Sequence, residues 1–280
     1  MFKKALTLDA DSLIFDLEDS VAPGDKDLAR SLVCTWLGEA DFAGKEVLVR
    51  INPLESHWGR ADLDAIMHTP PDGIVVPKVL SPSDVEAIDR FLTALELERN
   101  LESGQVPLLL IGTEVPGAVF NLHRTVAHKR VQGVAWGAED LSTAIGARVK
   151  RDRDGNYLEV FSLVRSLCLL AATGAGIQPI DAPFVNIGDV SGLKKECDLA
   201  ANMGFTGKLT IHPEQIEIVN DAFTPSAAEV DRARELLEAF DASEGESRMA
   251  FTFRGEMVDA AHLKHARNIV ARADNLKSRR

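Results

Sequence analysis

Short apolar runs recur along the chain at intervals of about 30 residues, the spacing of repeated βα units. They fall at 12–16 (SLIFD), 46–51 (EVLVRI), 73–77 (GIVVP), 106–111 (VPLLLI), 133–137 (GVAWG), 176–180 (GIQPI) and 207–211 (GKLTI). Each is too short for a helix and nearly continuous in apolar character, as in a strand buried on both faces of a parallel sheet. Between them lie longer segments with apolar positions three and four apart. Residues 26–39 carry Leu28, Leu32, Val33, Trp36 and Leu37 on one helical face. Further helices are expected at 62–67, 83–97, 160–172, 190–203, 214–222, 230–240 and 260–273. Ser81 and Pro82 suit the start of the third of these eight helices, and Ser226 with Glu229 has capping-box spacing before the seventh. One more helix is expected between Glu114 and the 133–137 strand. Residues 1–10 read as the end of a helix, 241–247 as a polar linker, and 249–253 as a short non-helical piece before a turn at Arg254-Gly255.

Regular alternation of strand and helix predicts a parallel α/β fold. Seven strands are one short of a (β/α)8 TIM barrel, and the chain begins inside what reads as a helix. A barrel lacking its first strand is one arrangement; an open doubly wound sheet is the competitor. No Gly-x-Gly-x-x-Gly follows a strand and no Walker A motif occurs, which argues against dinucleotide and P-loop sites. The net charge of −12, from 31 basic and 43 acidic residues, disfavours nucleic-acid binding. Three scattered cysteines, Cys34, Cys168 and Cys197, form no metal or disulfide spacing. With no signal peptide and no membrane-length apolar run, the expectation is a cytoplasmic protein without membrane contact.

In a parallel sheet the strand C-termini share one rim, where chemistry collects. That rim would carry Asp16, Glu18 and Asp19, then Arg50 and Asn52, then Lys78, Glu114, Glu139 with Asp140, Asp181 and His212. Glu114 and Asp140 are the natural ligands for one hard cation such as Mg2+, which takes few protein oxygens and keeps positions for water and substrate. The Arg50 fork matches a carboxylate or an enolate. Asp259, just before the last helix, reads on its own as an N-cap. His212 reads as a helix-start residue, Trp136 and Trp36 as packing residues, and the remaining histidines as surface groups.

Several stretches together resemble the HpcH/HpaI aldolase and citrate lyase beta-subunit superfamily, the CitE-like branch of acyl-CoA lyases. They are FDLEDSVAPGDKDLAR (15–30), VRINP (49–53), GIVVPKV (73–79), the Glu114 strand end, WGAEDLSTAIGAR (136–148), GFTGKLTIHPEQI (204–216) and RGEMVDAAH (254–262). The resemblance implies a TIM (β/α)8-type barrel of the phosphoenolpyruvate/pyruvate kind, here with the first strand missing. It implies a catalytic domain over 1–224 and a C-terminal helical extension over 225–280 that packs on a neighbouring subunit of a homotrimer or hexamer. It implies Mg2+ held by Glu114 and Asp140, Arg50 at the substrate, Glu18 and Asp19 near the metal and its waters, and Lys78 in the wall. Arg148 and the RDRDG loop at 151–155 read either as a contact for the CoA phosphates or as a solvated loop. Asp259 would reach a neighbouring subunit's site as acid/base.

The implied activity is cleavage or formation of a 3-hydroxyacyl-CoA, such as malyl-CoA or citramalyl-CoA, giving acetyl-CoA and a 2-oxo acid. The alternatives are a citrate lyase beta subunit acting on an acyl-carrier-protein thioester, a malyl-CoA thioesterase, and an oxo-acid aldolase. The chain departs from the family pattern at two places. It lacks the opening strand with its Arg-Ser, and it has Glu114-Val115-Pro116 where many members have Glu-Thr.

Overall fold

The computed structural model describes residues 2–242 and 250–278. The 243–247 part of the expected linker, and Met249, lie outside the described residues. The strands of the main sheet are β1 (Ser12–Asp16), β2 (Glu46–Arg50), β3 (Gly73–Val76), β4 (Leu108–Ile111), β5 (Val131–Ala135), β6 (Gln178–Asp181) and β7 (Gly207–Lys208). The helices are α1 (Phe2–Ala5), α2 (Lys26–Glu39), α3 (Gly59–Ile66), α4 (Pro82–Glu98), α5 (Ala118–Thr125), α6 (Ala138–Ala144), α7 (Glu159–Ala175), α8 (Val190–Met203), α9 (Gln215–Phe223), α10 (Ala227–Ala242) and α11 (Ala260–Ser278). A separate hairpin joins β8 (Ala250–Phe253) and β9 (Glu256–Asp259).

The seven strands pair in chain order, each parallel to the next. A closed eight-stranded barrel is therefore not what this sequence forms among the described residues. The sheet is open, with β1 and β7 as its two edges and no ladder joining them. The burial pattern follows from that placement. Central β3 is buried at all four positions, whereas edge β1 has no fully buried residue and leaves Ile14 exposed. Residues around the central strands, Ile74, Val76, Leu110 and Val134, are almost wholly removed from water and form the core. A strand covered on both faces needs apolar side chains at consecutive positions, which GIVV and LLLI supply.

The last strand is shorter than its apolar run. Only Gly207 and Lys208 enter the ladder, because their partner β6 ends at Asp181 and Pro183 follows. Leu209 N still donates to Asp181 O at 3.0 Å, but the chain then leaves the sheet.

The described residues divide into two compact units, Met1–Val219 and Asn220–Arg280. In the second, α10 and α11 pack on each other and bury Val230, Ala233, Leu263 and Ala266. The turn between β8 and β9 has φ of 51° at Arg254 and 86° at Gly255. Two consecutive positive values are what a tight two-residue hairpin requires, and this turns the expected irregular piece into an antiparallel pair.

Candidate active site

The C-terminal ends of the first five strands, with the segments that follow them, bring seven charged side chains into linked contact. Asp16 closes β1 and Arg50 closes β2, at paired positions of the ladder. Arg50 Nε and Nη2 donate to the two Asp16 carboxylate oxygens at 2.7 and 2.6 Å, a bidentate pair. Arg50 Nη1 lies 3.2 Å from Glu18 Oε2. The expected substrate fork is thus held in place by the chain's own acid. Asp16 also accepts from the Glu18 and Ser20 amides, which folds the segment after β1 back over the rim.

Lys78 follows β3 and joins the rest. Its Nζ lies 2.5 Å from Glu18 Oε1, 3.2 Å from Asp140 Oδ2 and 3.4 Å from Asp19 Oδ1. Its backbone N–H donates to Glu114 Oε2 at 2.7 Å. Glu114 stands in the turn after β4, three residues past its end, and Asp140 in the first turn of α6 after β5. There the helix dipole favours a carboxylate. Glu139, one residue earlier, turns away and pairs with Lys150. The cleft over these groups has a volume of about 270 Å3 and is lined by Lys78, Glu114, Val115, Pro116, Asp140, Thr143 and Ala144.

The cluster sets five carboxylates, Asp16, Glu18, Asp19, Glu114 and Asp140, against two cations, Arg50 and Lys78. The electrostatics follow. Burial, reinforced by the charges of Glu18 and Asp140, pushes the Glu114 carboxyl up to about 7, against the Lys78 amide that holds it down. Burial likewise raises Glu18 despite Lys78 and Arg50. Asp16 goes the other way: burial opposes its charge, but the hydrogen bonds from Arg50 and Ser20 win and lower it to about 2. Lys78 and Arg50 are both raised; burial opposes their charge, and the hydrogen bonds they donate to the acids, led by Glu18 and Asp16 respectively, outweigh it.

A hard divalent cation fits this donor set. Glu18 Oε2 and Asp140 Oδ2 are buried and accept no hydrogen bond, although each faces a cationic side chain. Among the described residues no three His, Cys, Asp or Glu side chains converge as a metal cage. A cation at Glu114 and Asp140 would therefore take few protein oxygens and leave positions to water or substrate, which is the habit of Mg2+.

Other expected rim residues are placed elsewhere. Asp181 is fully buried, with Oδ1 accepting from Trp136 Nε1 at 2.7 Å and Arg165 Nε at 2.9 Å, and Oδ2 from Lys208 Nζ at 2.7 Å. It ties β6 to β7 and α7 rather than facing the cleft. Asn52 is also buried, donating to Leu17 O and Asp62 Oδ2. His212 is partly exposed, 3.7 Å from Glu214. Arg148 is exposed beyond α6. Asp259 belongs to the second unit, where Oδ1 accepts from the Ala261 and His262 amides at the start of α11, the N-cap geometry its position suggests.

Two supporting residues escaped the sequence reading. Lys26 is buried, and its Nζ donates to Leu17 O, Glu18 O and Asn52 Oδ1, each at 2.7 Å, fixing the loop that carries Glu18. Gly137 lies so close to Glu114 that a Cβ there would sit 2.6 Å from Glu114 Cγ. Its amide donates to Thr113 Oγ1 at 3.0 Å. The signal available for both was their place within the matching stretches, PGDK and WGAEDL.

Comparison with known proteins places the chain among relatives of one family. A sequence model of the HpcH/HpaI aldolase/citrate lyase family matches residues 1–213. The chain is 35% identical over 272 residues to a (3S)-malyl-CoA thioesterase of Cereibacter sphaeroides, covering 97% of this chain and 90% of that one. It is 33% identical over 274 residues to the citrate lyase subunit beta of Haemophilus influenzae, covering 98% and 92%. A crystal structure of the CitE protein of Mycobacterium tuberculosis with magnesium, acetoacetate and coenzyme A superposes with a TM-score of 0.76 at 34% identity, over 97% of this chain and 91% of that one.

Proposed function

The chain belongs to the HpcH/HpaI aldolase/citrate lyase family, and from that premise we propose that it is a Mg2+-dependent carbon–carbon lyase of the CitE-like kind. Its substrate is a 3-hydroxyacyl-CoA such as malyl-CoA or citramalyl-CoA, which it cleaves to, or forms from, acetyl-CoA and a 2-oxo acid. The observation that carries this reading is that Glu114 and Asp140, carboxylates from consecutive βα units, line one cleft, with Glu114 held by the Lys78 amide. Mg2+ bound by Glu114 and Asp140 would supply Lewis acidity toward the substrate's oxygens.

The chain's own groups account for the remaining chemistry. Arg50, fixed by Asp16, presents a permanent positive charge to the carboxylate and to negative charge developing on the thioester oxygen. Glu18, with Asp19 beside it, receives the single proton of the substrate hydroxyl as the carbon–carbon bond breaks. Burial raises the Glu18 carboxyl, which favours its holding a proton. The electron pair of the broken bond passes into the thioester enolate, whose carbon takes a proton from Asp259 of a neighbouring subunit. Arg148 meets the CoA phosphates. The C-terminal segment 225–280 packs on that neighbour in a homotrimer or hexamer, and the cytoplasm suits three cysteines that form no disulfide. Among the described residues no helix is long and apolar enough to cross a membrane.

The test is turnover of malyl-CoA and citramalyl-CoA by purified protein, with Mg2+ and with EDTA, resolving products by mass. Acetyl-CoA with glyoxylate or pyruvate, lost in EDTA, is the expected result. The thioesterase named among the relatives supplies a second reading. Free CoA with an intact hydroxy-diacid would decide for it and against the lyase. Turnover only of a thioester carried on an acyl carrier protein would instead assign the citrate-lyase-subunit role.

A further inference from the structure

We propose that the Lys78 ammonium is the resident counter-cation of the acid cluster, so that a divalent cation must displace it from Asp140 to bind. Lys78 is then a positioning residue that sets the cation affinity of the site. This rests on the reading of Glu114 and Asp140 as cation ligands.

Lys78 does two separable things. Its backbone sits at φ 54°, in the left-handed region that disfavours a side chain, and this aims its amide at Glu114 Oε2, 2.7 Å away. Its side chain reaches across the rim to three acids, Glu18 at 2.5 Å, Asp140 at 3.2 Å and Asp19 at 3.4 Å. The ammonium is the one ion-pair partner that Asp140 has among the described residues. The Asp140 oxygen it faces is buried and accepts no hydrogen bond. The ammonium thus stands against the oxygen a divalent cation would use. A cation ligated there would lie beside a like charge, and like charges a few ångströms apart repel strongly outside bulk water. The Lys78 side chain is about one third exposed, which gives the displaced ammonium a path to solvent. The backbone contact to Glu114 needs no side chain and survives the displacement.

The experiment is Mn2+ binding to the chelator-stripped full chain, followed by calorimetry and by the electron paramagnetic resonance signal of free Mn2+. Lys78→Met removes the charge at similar length. Lys78→Gly removes it while suiting the positive φ, which guards against a folding defect in the first variant. Lys78→Arg keeps the charge. Both neutral variants are expected to bind Mn2+ about tenfold more tightly or better, and the arginine variant within a few-fold of wild type. Glu114→Gln and Asp140→Asn are expected to lose binding. Unchanged or weaker binding in both neutral variants, with Glu114→Gln and Asp140→Asn still defective, would overturn the counter-cation role and leave the ligand assignment standing. Binding indifferent to Glu114→Gln and Asp140→Asn would overturn the ligand assignment and this inference with it.

Discussion

At Glu114, burial and neighbouring charge change the chemistry of a side chain within the site. Its carboxyl titrates near 7 in the fold and near 4.5 when unfolded, so the folded chain binds the extra proton between those values. Stability must therefore fall as pH rises through that window, by up to about 3 kcal/mol for such a shift. Glu18, also raised, adds to the same slope. Asp16 acts elsewhere: its contribution is present above 3.8 and is lost as pH falls through about 2. Urea unfolding of the metal-free protein between pH 5 and 8 should show declining stability, and Glu114→Gln should remove most of the decline. A variant with the wild-type slope would refute this account. Arg50, Lys78 and Asp140 were legible in the sequence because a charged residue next to an apolar strand is conspicuous. Gly137 and Lys26 were not, since one acts by lacking a side chain beside Glu114 and the other by bonding carbonyls that sequence cannot bring together.

At the scale of elements, the apolar runs located all seven strands to within a few residues, and the helices with clear periodicity likewise. Helix α6 was missed because its seven residues present too few apolar positions to show a period. Strand β7 was overestimated because GKLTI looks like a full strand, yet its ladder depends on where β6 stops. What holds β7 is charge. Lys208 Nζ, fully buried, lies 2.7 Å from Asp181 Oδ2 and 2.8 Å from Glu196 Oε1 and donates to Ala182 O. Lys208→Met would leave two buried acids short of a partner and should cost about 3 kcal/mol. Asp181→Asn should cost a similar amount, and the double variant less than the two together. Equilibrium unfolding of the three variants checks this, and strictly additive losses would argue against a coupled pair.

At the scale of the molecule, spacing alone could not choose between a barrel and an open sheet, because closure is a property of two strands far apart in sequence. The family resemblance favoured closure, and the described residues leave β1 and β7 unjoined. The open seam has a dynamic consequence. In a parallel ladder the outermost strand bonds through one side only, so its outward amides have no sheet partner. Amide hydrogen exchange should accordingly be slowest in β3, β4 and β5 and fastest in β1 and β7, a gradient readable by mass spectrometry of peptides from each strand. Uniform protection across the seven strands would mean that the seam is covered. The gradient divides the site unevenly. Glu114 and Asp140 follow the slow-exchanging centre, whereas Asp16 and Glu18 are borne by the fast-exchanging margin. Fraying of that margin would withdraw the Asp16–Glu18 wall from Lys78 while the Glu114–Asp140 pair stays in place.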